Sequence, residues 1–371
     1  MKTVTPFRKA WPGTLTGRER FRRQMHREAV DRCFNLEFGY WLDNFRLWPV
    51  FRDHGVTSNE EADVFFGFDR TAAIHPHWMQ PAFPVEELAV RDAVRVLRNA
   101  DGLIAEVPLD GHDTIPHFLE ATLKTPGDWA TIKAERFRRD DPARRPDIAA
   151  ILQEHPSDRT YPLGVGCGSM IGKIRDMLTV EGLAYAIYDY PEMLEDMVET
   201  SCLLSEDFLD AILPHVAFDY ACGWEDICYK GGPLVSVGFF RDVVVPRYQR
   251  IRDKLRAHGI DIWWIDCDGD VRPLVPHFLA GGVNTMFPWE VNGSGHPGEA
   301  LDRWGPELRI MGGVDKMTLL HGRSEIRRWV DSLAPYVARG GFIPFCDHRC
   351  PPDVDPADYL YYLDLKEERF G

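Results

Sequence analysis

The chain has no run of about twenty apolar residues, the length a helix needs to cross a bilayer. Its first residues lack the charged, apolar and small-residue sections of a secretory signal. A cytoplasmic protein with no membrane partner is the expectation. Positive charge is also short: 43 Lys and Arg against 58 Asp and Glu leave a formal net charge of −15. That balance argues against nucleic acid and anionic membrane surfaces, both of which demand a basic face. The eight cysteines, at 33, 167, 202, 222, 228, 267, 346 and 350, have no framework spacing, so reduced thiols are expected. Cys346-x-x-x-Cys350 is the one close pair, and no matching second pair completes a metal motif. No repeat with a period of about 20 to 50 residues is visible, which excludes solenoids.

What is present is an ordinary globular composition, 371 residues with 44% hydrophobic and 27% charged side chains. Residues 1–30 read as a polar lead-in and a helix, with Thr14 or Thr16 as a cap before Arg18-Glu19-Arg20-Phe21-Arg22-Arg23. Residues 33–41 form an apolar, strand-like run. A long irregular stretch rich in Pro, Trp and Asp then extends to residue 127, with strand candidates at 70–76 and 102–108 that supply pocket walls. From residue 159 the rhythm is regular. Strands at 161–167, 216–222, 260–266, 283–287, 308–313 and 341–346 alternate with helical patterns ending near Met177 and at 191–213, 241–258, 271–280 and 323–338. Apolar strands alternating with helices predict a parallel sheet, and the number of units favours a closed barrel. The predicted fold is therefore α/β: a single (β/α)8 TIM-type barrel over 31–371, with an N-terminal helical extension and long early loops.

In such a barrel the reactive side chains lie at the C-terminal ends of the strands. Five consecutive predicted strands end in acids: Glu225 and Asp226, Asp266 and Asp268, Glu290, Asp315, and Asp347 followed by His348. Asp266 and Asp268 leave the run Ile260-Asp261-Ile262-Trp263-Trp264-Ile265, and strand periodicity places them on one face with Cys267 on the other. Acids crowded on one rim repel unless a metal, a proton or a cation lies among them. Lys230 and Lys316 offset part of the charge. Carboxylate and imidazole donors suit zinc or a harder divalent ion, so Asp266, Asp268, His348 and Glu225 are the candidate ligands. Glu225, Asp226, Lys230, Glu290 and Asp315 are the candidates for catalytic proton handling. Trp41, Trp224 and Trp289 are expected to line the pocket and hold a cofactor or substrate.

Several segments together resemble the uroporphyrinogen decarboxylase superfamily, which includes zinc-dependent methyltransferases acting on methylated corrinoids. They are Thr16-Gly17-Arg18-Glu19-Arg20-Phe21 with Asp31-Arg32, the stretch from Glu225-Asp226-Ile227-Cys228 to Gly232-Pro233, Gly312-Gly313-Val314-Asp315-Lys316, Gly340-Gly341-Phe342-Ile343, and Asp347-His348-Arg349-Cys350-Pro351-Pro352-Asp353-Val354. The resemblance implies a single-domain barrel over most of the chain. True decarboxylases carry an arginine-bearing segment that grips porphyrinogen carboxylates, where this chain reads Asn35-Leu36-Glu37-Phe38-Gly39-Tyr40-Trp41. The acidic rim would also repel a polycarboxylate. The corrinoid methyltransferases look closer. Their zinc-binding His-x-Cys-Gly segment matches Asp266-Cys267-Asp268-Gly269, and their last cysteine ligand falls near His348. Oxygen ligands would leave a metal a stronger Lewis acid, less suited to a soft thiol and better suited to an oxygen donor or acceptor.

The leading expectation is a metal-dependent methyltransferase of the corrinoid type. A divalent metal, zinc by preference, would sit in the pocket, and methylcobamide would come from solution or from a separate corrinoid protein, since no Asp-x-His-x-x-Gly corrinoid segment occurs here. Two further readings remain: a decarboxylase or lyase on a non-porphyrin substrate, and a non-catalytic module binding a cobamide or a cationic small molecule through its tryptophans. A homodimer is compatible with each.

Overall fold

A computed structural model describes residues 4–110 and 116–371. Seven parallel strands form its central sheet, in the order β1 (Ala72–Ile74), β6 (Leu163–Gly166), β7 (Tyr220–Trp224), β10 (Trp263–Asp266), β11 (Thr285–Trp289), β12 (Arg309–Val314) and β13 (Phe342–Cys346). Neighbours in space are neighbours in the order of the parallel strands along the chain. The helices between them bury one stripe each against the outside of the sheet. In Pro191–Ile212, proline starts the helix, and Leu194, Met197, Val198, Cys202, Phe208, Leu209 and Ile212 are buried at helical spacing.

The inner side of the sheet encloses a second cluster drawn from strands along its whole width: Tyr220, Cys222, Ile262, Met311, Ile343 and Phe345, with Ala73, Trp264 and Phe287 packed on it. Phe21 and Met25 of the helix Gly17–Met25 belong to the same cluster and cap one end. That helix starts at Thr16, one of the two caps expected, whose side chain accepts from the Glu19 amide while the Glu19 carboxylate accepts from the Thr16 amide in a capping box.

The eighth strand is where expectation and structure part. Residues 33–41 lie in the expected place, with Phe34 in the inner cluster and Leu36 and Phe38 against it. Yet they form one isolated parallel bridge, Tyr40 to Cys350, and a closed eight-stranded barrel is not seen among the described residues. The reason is in the hydrogen bonds. The amide of Phe34 donates to Gln24 Oε1 at 2.6 Å and that of Asn35 to Asp69 Oδ2 at 2.8 Å, so side chains take donors that a ladder would use. Gly39, at φ +120°, turns the backbone further out of strand geometry.

The region to residue 127 is also more ordered than expected. An antiparallel meander of β2 (Glu86–Arg91), β3 (Val94–Arg98), β4 (Leu103–Pro108) and β5 (His117–Ala121) is inserted after β1. It packs β4 and β5 on the helix Gly172–Asp189. A small hairpin, β8 (Cys228–Tyr229) with β9 (Gly232–Pro233), follows β7. All eight cysteines are buried free thiols. Among the described residues no helix is long and apolar enough to cross a membrane.

Candidate functional site

The C-terminal ends of β1, β6, β7 and β10 surround a cavity of about 370 Å³. Its walls are mainly apolar and include Trp78, Trp224 and Trp264, with His75, Lys173, Cys222 and Asp266 as ionisable groups in the lining. Cavities of this size and apolar character take small molecules. Of the three tryptophans expected at the pocket, Trp224 lines it. Trp41 lies further round the rim, its ring 5.6 Å from that of His348. Trp289 is wholly buried and donates from Nε1 to Gly295 O at 2.9 Å, so it is a core residue and not a pocket wall.

Four carboxylates crowd the rim at β7 and β10, and their surroundings differ sharply. Glu225 is fully buried and accepts five hydrogen bonds: from the amides of Met170, Ile171 and Gly172 at 2.7, 2.8 and 2.8 Å, from Ser169 Oγ at 3.2 Å, and from the Tyr248 hydroxyl. Burial pushes its pKa up, with Tyr248 and the three amides pulling against that shift. Both oxygens are committed to holding the turn after β6. Glu225, expected as a fourth metal ligand or base, here fastens β7 to the start of the helix at Gly172.

Asp226 turns the other way, at φ +46°, and binds Arg175 Nη1 at 2.9 Å through Oδ2. Burial raises its carboxyl above the usual range, while Arg175 opposes the rise and Asp268 adds to it. Asp266 lines the cavity, and burial followed by the charges of Asp268 and Asp226 holds its pKa well above the ordinary carboxylate value. Among the described residues no donor meets its carboxyl group. Asp268 presents Oδ2 to His348 Nε2 at 3.4 Å, and its Oδ1 is buried with no partner. Gly269 closes the segment at φ +79°, where a Cβ would come within 2.7 Å of the Cys228 and Tyr229 backbone. The hairpin lies that close to the acid pair.

The β11 to β13 side of the rim is a satisfied polar network. Glu290 accepts from Lys316 Nζ at 2.7 Å and from the Gly269 amide at 2.8 Å. Burial opposes the Glu290 charge, but Lys316 outweighs it and keeps the carboxyl below its usual range. Lys316 has the mirror-image balance: burial works against its charge, while Asp347 and Glu290 hold its pKa up. Asp347 is buried, accepts from the Val291 and Lys316 amides at 2.7 and 2.9 Å, and is raised to about 6 by burial against the pull of Lys316. Asp315 caps the short helix at Lys316–Leu320 through the Met317 amide at 2.8 Å. Lys230 is exposed in the turn of the β8–β9 hairpin. His348 stacks on Phe38 with ring centroids 5.1 Å apart.

The expected ligands do not assemble. Among the described residues no three His, Cys, Asp or Glu side chains gather as a metal-holding group. Asp268 and His348 approach each other and Asp268 Oδ1 lacks a partner, but Glu225 is withdrawn. This arrangement does not fit a zinc centre, whose three or four donors each lie about 2.0–2.3 Å from one ion. Sequence reasoning, for its part, missed His75, Ser169, Lys173 and Trp264. Trp264 was hidden inside an apolar run, and His75 inside a strand assigned two residues too long at its C-terminal end; Lys173 carries no signal until the helix after β6 is placed.

No family model and no curated protein sequence matches the chain. A methyltransferase from Methanosarcina mazei has a similar solved structure, with a TM-score of 0.57 and 13% identity over 96% of this chain and 99% of that one. A B12-independent methionine synthase from a Shewanella species, in complex with selenomethionine, aligns at a TM-score of 0.39 and 9% identity over 98% and 97%. The first likeness establishes the fold over nearly the whole chain.

Proposed function

We propose that this chain, built on the fold of the uroporphyrinogen decarboxylase superfamily, is a methyl-transfer enzyme that takes a small molecule into the tryptophan-lined cavity at its C-terminal rim. The observation that carries the reading is Asp266. Its carboxyl borders the cavity, meets no donor, and is held toward the protonated form by burial and by two neighbouring acids. Removing a methyl group from oxygen or nitrogen leaves the bonding electron pair on the heteroatom, which must be neutralised as the bond breaks. A neutral carboxylic acid at the cavity wall supplies that proton, and Asp226 and Asp268 hold the proton on Asp266 until the substrate takes it.

In the corrinoid reading a cobamide, brought by another molecule, accepts the methyl group. At about 370 Å³ the cavity holds a small substrate and not a corrin macrocycle, and no residue is assigned to a corrinoid. The test is spectrophotometric. Methyl transfer between methylcobalamin and a panel of oxygen, nitrogen and sulfur compounds is expected for the parent protein and lost in Asp266→Asn. Absence of transfer in both directions across the whole panel would overturn the proposal.

The same proton also suits the decarboxylase reading, in which it replaces departing carbon dioxide on carbon. Release of carbon dioxide from a carboxylated substrate, with no methyl movement, would establish that alternative.

A further inference from the structure

The cavity contains a charge pattern that the methyl-transfer reading leaves unused. We infer that its substrate is a planar aromatic ring carrying an acidic substituent, with the anion at Lys173 and the reacting heteroatom at Asp266; this rests on that reading for the identity of the reacting end. The flat walls come from Trp78, Trp224 and Trp264, and Trp264 is braced by Phe287 with ring centroids 4.5 Å apart. Ring-shaped ligands gain both buried area and stacking from such walls.

The sign of the ligand follows from what already covers Trp224. Lys173 Nζ and the Arg175 guanidinium each lie 5.1 Å from that ring's centroid. The quadrupole that would attract a cationic ligand is occupied by the protein's own cations, and their charge repels another. Arg175 is committed, at 2.9 Å to Asp226 and 3.0 Å to Asp176. Lys173 is held more loosely, 3.4 Å from Asp176 and 3.7 Å from Asp101, with its side chain 32% exposed. Both distances exceed a strong charge-assisted bond of about 2.8 Å, so a ligand carboxylate or phenolate can take the ammonium at little cost. Asp101 lies in the turn between β3 and β4. The inserted meander thus comes within 3.7 Å of the cavity's lysine. Asp266 shares the lining, and burial with its two acidic neighbours disfavours its charged form, which lessens its repulsion of an anion.

The full chain, titrated by calorimetry with benzoate, anisole and tetramethylammonium, tests the assignment. Benzoate should bind more tightly than tetramethylammonium. Lys173→Met should weaken benzoate by about 10-fold, the loss of one charge-assisted bond, and leave anisole unchanged. Lys173→Arg should retain benzoate binding, and Trp78→Ala should weaken both aromatic ligands. Circular dichroism confirms that each variant is folded. Tighter binding of tetramethylammonium, no benzoate binding, or equal benzoate affinity in folded Lys173→Met would each overturn the inference. Aromatic-anion binding without any methyl transfer would remove the catalytic reading and leave this one standing; methyl transfer confined to aliphatic compounds, with no aromatic-anion binding, would do the reverse.

Discussion

Glu225 and Asp266 sit at the ends of adjacent strands, joined by a hydrogen bond from the Glu225 amide to the Asp266 carbonyl at 2.8 Å. Burial raises both carboxyls. One accepts five hydrogen bonds and the other none among the described residues. The difference separates a carboxylate that builds the site from one free to act in it. A buried acid surrounded by donors is fixed in place and its oxygens are spent. A half-buried acid bordering a cavity without donors has a proton to give and nothing to give it to until a substrate arrives.

The comparison breaks most readily at Asp266. Asp266→Asn is expected to lower methyl transfer by about 10²–10⁴-fold, the usual contribution of a positioned general acid, with the fold retained. Methyl removal from the heteroatom by the parent protein should fall as pH rises through the raised pKa of Asp266, because in that direction the acid form is the working one. A rate that is flat in pH, or an Asn variant of full activity, would take Asp266 out of the chemistry. Glu225→Ala is expected to act through stability instead. Stranding three buried amides should cost about 3 kcal/mol or more in chemical denaturation, and Glu225→Gln less because its amide oxygen still accepts. An alanine variant with an unchanged unfolding midpoint would erase the distinction.

A smaller effect sharpens the contrast. A carboxyl raised in the folded state contributes stability that is complete below its unfolded value and lost as pH climbs through the folded one. Asp266→Asn removes that loss. Its melting temperature relative to the parent protein should rise from pH 4 to pH 8, as scanning calorimetry would show. A difference independent of pH would mean that Asp266 ionises without penalty and that its neighbours do not hold the proton on it.

The sequence exposed the acids but not their partners. Alternation of apolar runs and helical patterns located the parallel strands β6, β7, β10, β11, β12 and β13 to within a few residues, because buried parallel strands are apolar throughout, but gave no sign of the β8–β9 hairpin. Acids after those strands were readable for the same reason. Whether an acid is spent depends on the loop from a different strand: Glu225 is neutralised by amides at 170–172, far away in sequence, and no local pattern signals it. Of the meander only β4 was legible, as the strand candidate at 102–108; β2 and β5 escaped because they are mixed, with Leu88, Val90, Phe118 and Leu119 exposed among charges. Residues 33–41 show the opposite failure. Their apolar pattern is that of a strand, and they occupy a strand's place, but Gln24 and Asp69 take the amides. Segment 33–41 is held instead by the buried pair of Lys366 and Glu37 at 2.7 Å, a contact 329 residues apart in sequence.

The least effect is expected from metal, and it bears on the Asp268 and His348 half of the rim. Two groups 3.4 Å apart, one with an unpartnered buried oxygen, make a weak site; a tight centre needs a third ligand, and Glu225 is not available for it. Zinc added to the chelator-treated protein should therefore bind no more tightly than micromolar by calorimetry and shift the melting temperature little. His348→Ala and Asp268→Ala should each abolish even that. Stoichiometric zinc that survives dialysis, with loss in Asp266→Ala as well, would instead show that Asp266 turns from the cavity to join them. The proton on Asp266 would then be displaced by the ion, and the two halves of the rim would be one centre.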